Sequence, residues 1–87
     1  MSFIASTNKQ LDRYFILIPK SEHETIKPFL GEKIKVNIKD ALSEAQLTII
    51  SQIVKQGSNY LLSIYSKYVK DFEKFMNQEL KIKLDKI

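Results

Sequence analysis

The chain has no cysteine, one histidine, two glycines and two prolines in 87 residues. Without cysteine there is no disulfide framework, no thiolate metal site and no thiol nucleophile. The two glycines, Gly31 and Gly57, are too few and too far apart to form a phosphate-cradling loop. No apolar run approaches the roughly 20 residues that cross a bilayer. Met1 to Arg13 also lacks the charged-then-apolar order of a secretory leader. A soluble, cytoplasmic protein with no membrane partner is the expectation.

Catalytic groups are as sparse. A nucleophile needs a base beside it, and the lone histidine, His23, falls where the exposed first turn of a short helix is expected. It reads as a solvated surface residue. The carboxylate pairs Glu22 with Glu24 and Asp71 with Glu73 stand two residues apart, so on a helix they diverge rather than share a proton or a metal. No enzymatic activity, cofactor, metal or small-molecule substrate is expected.

What the chain does contain is enough apolar surface to fold, with 44% hydrophobic and 28% charged residues, far from the composition of disorder. Its length supports one core only, because chains of this size bury about 60% of their unfolded surface. Lysine and arginine exceed aspartate and glutamate by 14 to 10, and each half, residues 1–41 and 42–87, carries seven basic and five acidic side chains. A balance of this kind permits a polyanion partner without requiring one.

The halves are also alike in order. Shifting the sequence by 46 positions aligns Phe3 to Ala41 with Ile49 to Ile87 without a gap, leaving residues 42–48 as a linker within a single domain, 1–87. Seven positions are identical: Ile4 with Ile50, Lys9 with Lys55, Gln10 with Gln56, Tyr14 with Tyr60, Ile18 with Ile64, Phe29 with Phe75 and Lys35 with Lys81. Apolar positions coincide as well, among them Ile16 with Leu62, Ile26 with Phe72, Ile34 with Leu80 and Val36 with Ile82.

Each copy reads as strand, turn, strand, helix, strand. An extended segment (Phe3 to Gln10; Ile49 to Gln56) meets a turn at Leu11 to Arg13 or Gly57 to Asn59, and Tyr14 to Ile18 is a second strand ended by Pro19. Ser21 and Glu24 have capping-box spacing, which predicts a helix over Ser21 to Leu30 with Ile26, Phe29 and Leu30 on its apolar face. Gly31 and its counterpart Asn77 are the residues best suited to a left-handed helix stop. The last strands alternate, with Ile34, Val36 and Ile38 on one face and Lys33 and Lys35 on the other, and likewise Leu80, Ile82 and Leu84 against Lys81 and Lys83. The strand lysines read as a solvated face, and Tyr14 and Tyr60 as core residues with their hydroxyls at a rim.

The fold expected is therefore mainly β with two short helices: duplicated β-β-α-β units forming one swapped-hairpin-like barrel. The alternative is α+β, a βαβ unit followed by a helical hairpin, because Ala41 to Gln56 and the series Leu61, Tyr65, Tyr68, Phe72, Phe75 and Met76 also fit helical spacing.

Lys55, Gln56, Gly57, Ser58, Asn59 and Tyr60 in the second copy, with Ile18, Pro19 and Lys20 in the first, resemble the AbrB/SpoVT/MazE family of swapped-hairpin barrels. The resemblance covers nearly the whole chain, once per copy. It implies a DNA-binding, AbrB-like transcriptional regulator that contacts double-stranded DNA through basic hairpin loops, at Lys9, Arg13 and Lys20 in copy one and Lys55, Ser58 and Asn59 in copy two. Arg13, Ser58 and Asn59 are the types that pair with base edges. Leu11 and Asp12 depart from the family's glycine and small polar residue, and Tyr65 and Ser66 replace proline and lysine, so an uneven surface is expected. The rival reading is a protein-interaction or assembly module on the same barrel that binds no nucleic acid, and either could pair again into a homodimer.

Overall fold

Alternating burial along β-rich segments produces the strands. In β1 (Ser2–Gln10) Phe3 and Ala5 are buried while Ser2, Ile4 and Ser6 are exposed, and in β3 (Lys33–Asp40) buried Ile34, Val36 and Ile38 alternate with exposed Lys33 and Lys35 and half-buried Asn37 and Lys39. A computed structural model describing all 87 residues places these with β2 (Arg13–Ile18), β4 (Gln46–Gln56), β5 (Asn59–Ile64) and β6 (Leu80–Lys86). The ladder closes in the order β1-β2-β5-β4-β3-β6, every pair antiparallel. The protein is mainly β, a six-stranded barrel.

The two halves interleave. β3 pairs with β4 and β6, both from the second half, and β1 pairs with β6 as well as β2. The register repeats with the 46-residue shift: Tyr14 opposes Ile64 as Tyr60 opposes Ile18, and Phe3 opposes Ile82 as Ile49 opposes Val36. Two pairs join equivalent positions to each other, Ile16 with Leu62 and Asn37 with Lys83. A pseudo-two-fold axis therefore leaves the barrel through β2/β5 on one wall and through β3/β6 on the opposite wall.

The turns obey the same symmetry. Leu11 (φ 57°) and Gly57 (φ 62°) are equivalent and both left-handed, as are Gly31 (φ 79°) and Asn77 (φ 62°). Between the halves, the Asp40 carboxylate accepts hydrogen bonds from the Leu42 N–H at 3.0 Å and the Ser43 hydroxyl at 3.2 Å, a side-chain-locked turn. β4 begins at Gln46, so the connection is shorter than the 42–48 linker read from the repeat.

The segments after β2 and β5 are less helical than expected. No continuous helix spans Ser21 to Leu30; two 3-10 turns, Lys20–Glu22 and Lys27–Phe29, take its place, and Ser21 makes no capping bond. Pro28 contributes to the break, because it lacks an N–H and its ring opposes the carbonyl four residues earlier. In the second half Lys74 stands in its place, and a single helical turn, α1 (Val69–Phe72), forms between 3-10 turns. Ile26, Phe72 and Phe75 from these segments are fully buried with Ile16, Ile34, Ile38, Leu62 and Ile82, whereas Leu30 lies outside the core. The α+β alternative fails, since Gln46 to Gln56 is a strand with Ile49, Ser51 and Ile53 buried in alternation.

The paired left-handed turns allow a reciprocal test. Leu11→Gly is expected to raise stability and Gly57→Leu to lower it, each by about 1 kcal/mol in urea denaturation. An added Cβ at Gly57 would meet nothing within 4 Å, so a loss there reports backbone strain alone.

Candidate nucleic-acid interface

Hairpins β1/β2 and β4/β5 each run past the barrel wall to a two-residue tip. Strand parity sorts their side chains: Asn8 opposes Phe15, Phe15 opposes Ser63, Leu61 opposes Val54, so Asn8, Gln10, Arg13, Phe15, Leu61, Ser63 and Gln56 share the outward face of the β1-β2-β5-β4 sheet. Across that face the Gln10 and Gln56 amides exchange two hydrogen bonds, Gln10 Nε2 to Gln56 Oε1 at 2.8 Å and Gln56 Nε2 to Gln10 Oε1 at 2.9 Å. For strands at opposite edges of the sheet to meet this way, the sheet must curl its two hairpins together. Phe15 and Leu61, equivalent positions outside the barrel core, are buried on this curled face, with the Arg13 guanidinium 5.5 Å from the Phe15 ring.

Lys9 and Lys55 project from the other face of the hairpins. Each ammonium lies over the tyrosine directly opposite it, Lys9 over Tyr14 at 5.1 Å and Lys55 over Tyr60 at 5.9 Å. Such a contact holds the cation in place while leaving it in water. The tyrosines pack against the core, and Tyr14 meets Phe72 edge-on at 6.3 Å.

All six residues singled out from the sequence are exposed. Arg13 and Asn59 occupy equivalent places opposite Gln10 and Gln56, flanking the amide seam. Ser58 is in the second tip, where Asp12 stands in the first. Lys20 follows β2, whose last residue, Ile18, pairs with Tyr60, so it neighbours the second hairpin rather than its own. The first tip instead has Tyr65 and Ser66 beside Asp12 and Arg13, around a recess of about 370 Å³. The second lobe thus gathers Lys20, Lys55, Ser58 and Asn59, and the first holds Lys9 and Arg13 with the carboxylate of Asp12.

Two residues read differently in the structure. His23 is not a solvated surface residue: it is half-buried, 4.8 Å edge-on from the Tyr60 ring, and its Nε2 is buried without a hydrogen-bond partner. The reason is the same crossing that carries Lys20 to the second hairpin. The Gln10/Gln56 seam was visible in the sequence only as an identity of the repeat; equivalent residues meeting near a pseudo-two-fold axis are the signal that marks it. No group of histidine and carboxylate side chains is arranged to hold a metal, and no helix is long and apolar enough to cross a membrane.

The class this architecture defines is a closed antiparallel six-stranded barrel whose two sequence halves interleave. No protein-family model, curated protein or solved structure matches the chain.

A double-mutant cycle on Gln10→Ala and Gln56→Ala should return a coupling of roughly 0.5–1 kcal/mol, the scale of a reciprocal, partly solvated amide pair. Zero coupling would mean that the seam does not hold the hairpins together.

Proposed function

We propose that the chain is a duplex-DNA-binding regulator of AbrB-like type that leans on phosphates through its two hairpin tips. The observation that carries this reading is the convergence of the tips, which sets Arg13 and Asn59 around the Gln10/Gln56 seam. Topology supports it too, since interleaved halves in a closed barrel are the arrangement that the resemblance implies. Lys9, Lys20 and Lys55 supply positioning charge, and Arg13, Ser58 and Asn59 supply groups able to pair with base edges. Asp12 in the first tip would repel a phosphate, so the second lobe takes the larger share of contact.

A second reading has an observation of its own. An open groove of about 700 Å³ is lined by Ile4, Leu17 and Pro19 with Asn77, Gln78 and Glu79, and Ile4 is 44% exposed. An apolar floor beside polar groups suits a protein partner, and in that case the barrel is an interaction module.

Fluorescence anisotropy of a labelled duplex decides between them. Saturable binding is expected to fall as a power of salt concentration, with a slope of about −0.9 per phosphate contacted. Lys9→Glu with Lys55→Glu should weaken binding by about tenfold or more and flatten that slope by about two. An unchanged slope in the double variant would remove the hairpins from the contact, and no binding by the wild type at low salt would favour the protein-partner reading.

A further inference from the structure

The opposite wall of the barrel carries five lysines on one face. Strand parity puts Lys33, Lys35, Lys39, Lys81 and Lys83 together on the outward face of β3 and β6. Four of the five are exposed, and Lys39 is half-buried. Three carboxylates border it: Asp85, which opposes Lys35; Glu44, whose Oε2 lies 3.9 Å from the Lys39 Nζ but is itself almost fully exposed; and Glu79, two residues before Lys81 at the edge of β6. Lys33, Lys81 and Lys83 have no ion-pair partner. Lys39 and Lys81 stand directly opposite each other, a like-charge cross-strand pair that destabilises a sheet.

On β3 and β6 the face has the chemistry of backbone contact rather than base contact; the nearest glutamines, Gln46 and Gln52, belong to the neighbouring β4. No aromatic side chain lies on its parity positions in β3 or β6, so it offers no stacking platform for single-stranded bases. Asn37, the amide at its centre, directs its Nδ2 to Thr48 Oγ1 at 3.0 Å and Gln46 Oε1 at 3.4 Å. What remains is lysine, spaced about 6.7 Å along each strand and about 5 Å across, as any sheet spaces residues of one face.

We propose that this lysine face is a second, sequence-independent binding surface for the phosphates of duplex DNA, and that one molecule bridges two duplex segments. The placement follows from the pseudo-two-fold axis, which leaves through Ile16 and Leu62 on the wall bearing the hairpin seam and through Asn37 and Lys83 on the wall bearing the lysines. The two surfaces therefore point in opposite directions across a body measuring 28 × 27 × 23 Å. A straight duplex against one wall cannot reach the other, so occupying both takes two segments. This inference rests on the proposed DNA-binding reading for its first segment.

The test mixes two separately labelled duplexes with the protein and reads energy transfer between them, beside anisotropy on one duplex. Wild type should bring the labels together, and the Lys33→Gln, Lys81→Gln, Lys83→Gln triple variant, at the three lysines without an ion-pair partner, should lose the transfer while keeping single-duplex binding. The triple variant should also unfold no earlier than wild type, because it removes exposed like charges and no packing. Transfer undiminished in the triple variant, or a wild type that binds one duplex without transfer, overturns bridging by this face. The hairpin reading fails separately, if Lys9→Glu with Lys55→Glu leaves both single-duplex binding and transfer at wild-type levels. Absence of any binding by the wild type overturns both.

Discussion

Everything in this structure depends on the ladder being closed by strands from opposite halves. β3 has no partner in its own half: both of its neighbours, β4 and β6, come after the linker. A half-chain would therefore leave one strand without any ladder bonds and β1 and β2 each with one open edge, and unpaired backbone groups taken from water are costly. Closure removes that cost and at the same time surrounds Ile16, Ile38, Leu62 and Ile82 with side chains from both copies. Because ladder and core form together, the two copies are one cooperative unit even though each carries a full set of elements.

Within that constraint the copies have diverged, and the differences fall where the ladder changes partner. β4 runs along β3 as far as Gln52 and pairs with β5 only from Ile53 onward, which frees the Ser63 carbonyl; the buried Ser51 hydroxyl donates to it at 2.6 Å. Its equivalent, Ala5, has no hydroxyl to do so. Close by, the Ile50 N–H donates to the Tyr68 hydroxyl at 3.2 Å, a bond that Glu22, the counterpart of Tyr68, does not make with Ile4. In the first half the repair is different: the Thr7 hydroxyl accepts from the Asn77 N–H at 2.9 Å, where Ile53 could accept nothing. The open groove beside Ile4 lies on the copy without the tyrosine, so it follows from which copy received which substitution.

Much of this was legible because one register carried both local and global information. The 46-residue shift that aligns Tyr14 with Tyr60 also aligns Leu11 with Gly57, and both adopt the same left-handed conformation although one is leucine. The helical elements were misread from local spacing alone. Ser21 and Glu24 stand as a capping box should, yet the short connection between strands closes as 3-10 turns, as its counterpart with Lys74 in place of Pro28 largely does too. His23 was misplaced for a non-local reason, since only the pairing of β2 with β5 brings it to Tyr60. The lysine face was half legible. Alternation placed Lys33, Lys35, Lys81 and Lys83 on outward faces, but that β3 and β6 are neighbours follows only from the interleaved order.

The β3/β6 wall departs from exact two-fold symmetry in an informative way. On a true two-fold axis the central pair of the β3/β6 wall would be identical, either two lysines facing each other or none. Here Asn37 faces Lys83, so charge is kept without a clash on the axis. The next pairs diverge in opposite senses: Lys35 faces Asp85 on one side, whereas its symmetry counterpart is Lys81 facing Lys39. One corner is neutralised and the other concentrated, with Lys83 beside it. A sheet selected for stability alone would keep the attractive pair at both corners, because opposed like charges oppose pairing. The repulsive pair lies near the end of the ladder, where water and the Glu44 carboxylate 3.9 Å from Lys39 screen it, and the barrel, already sealed around its ladder, can carry that local cost.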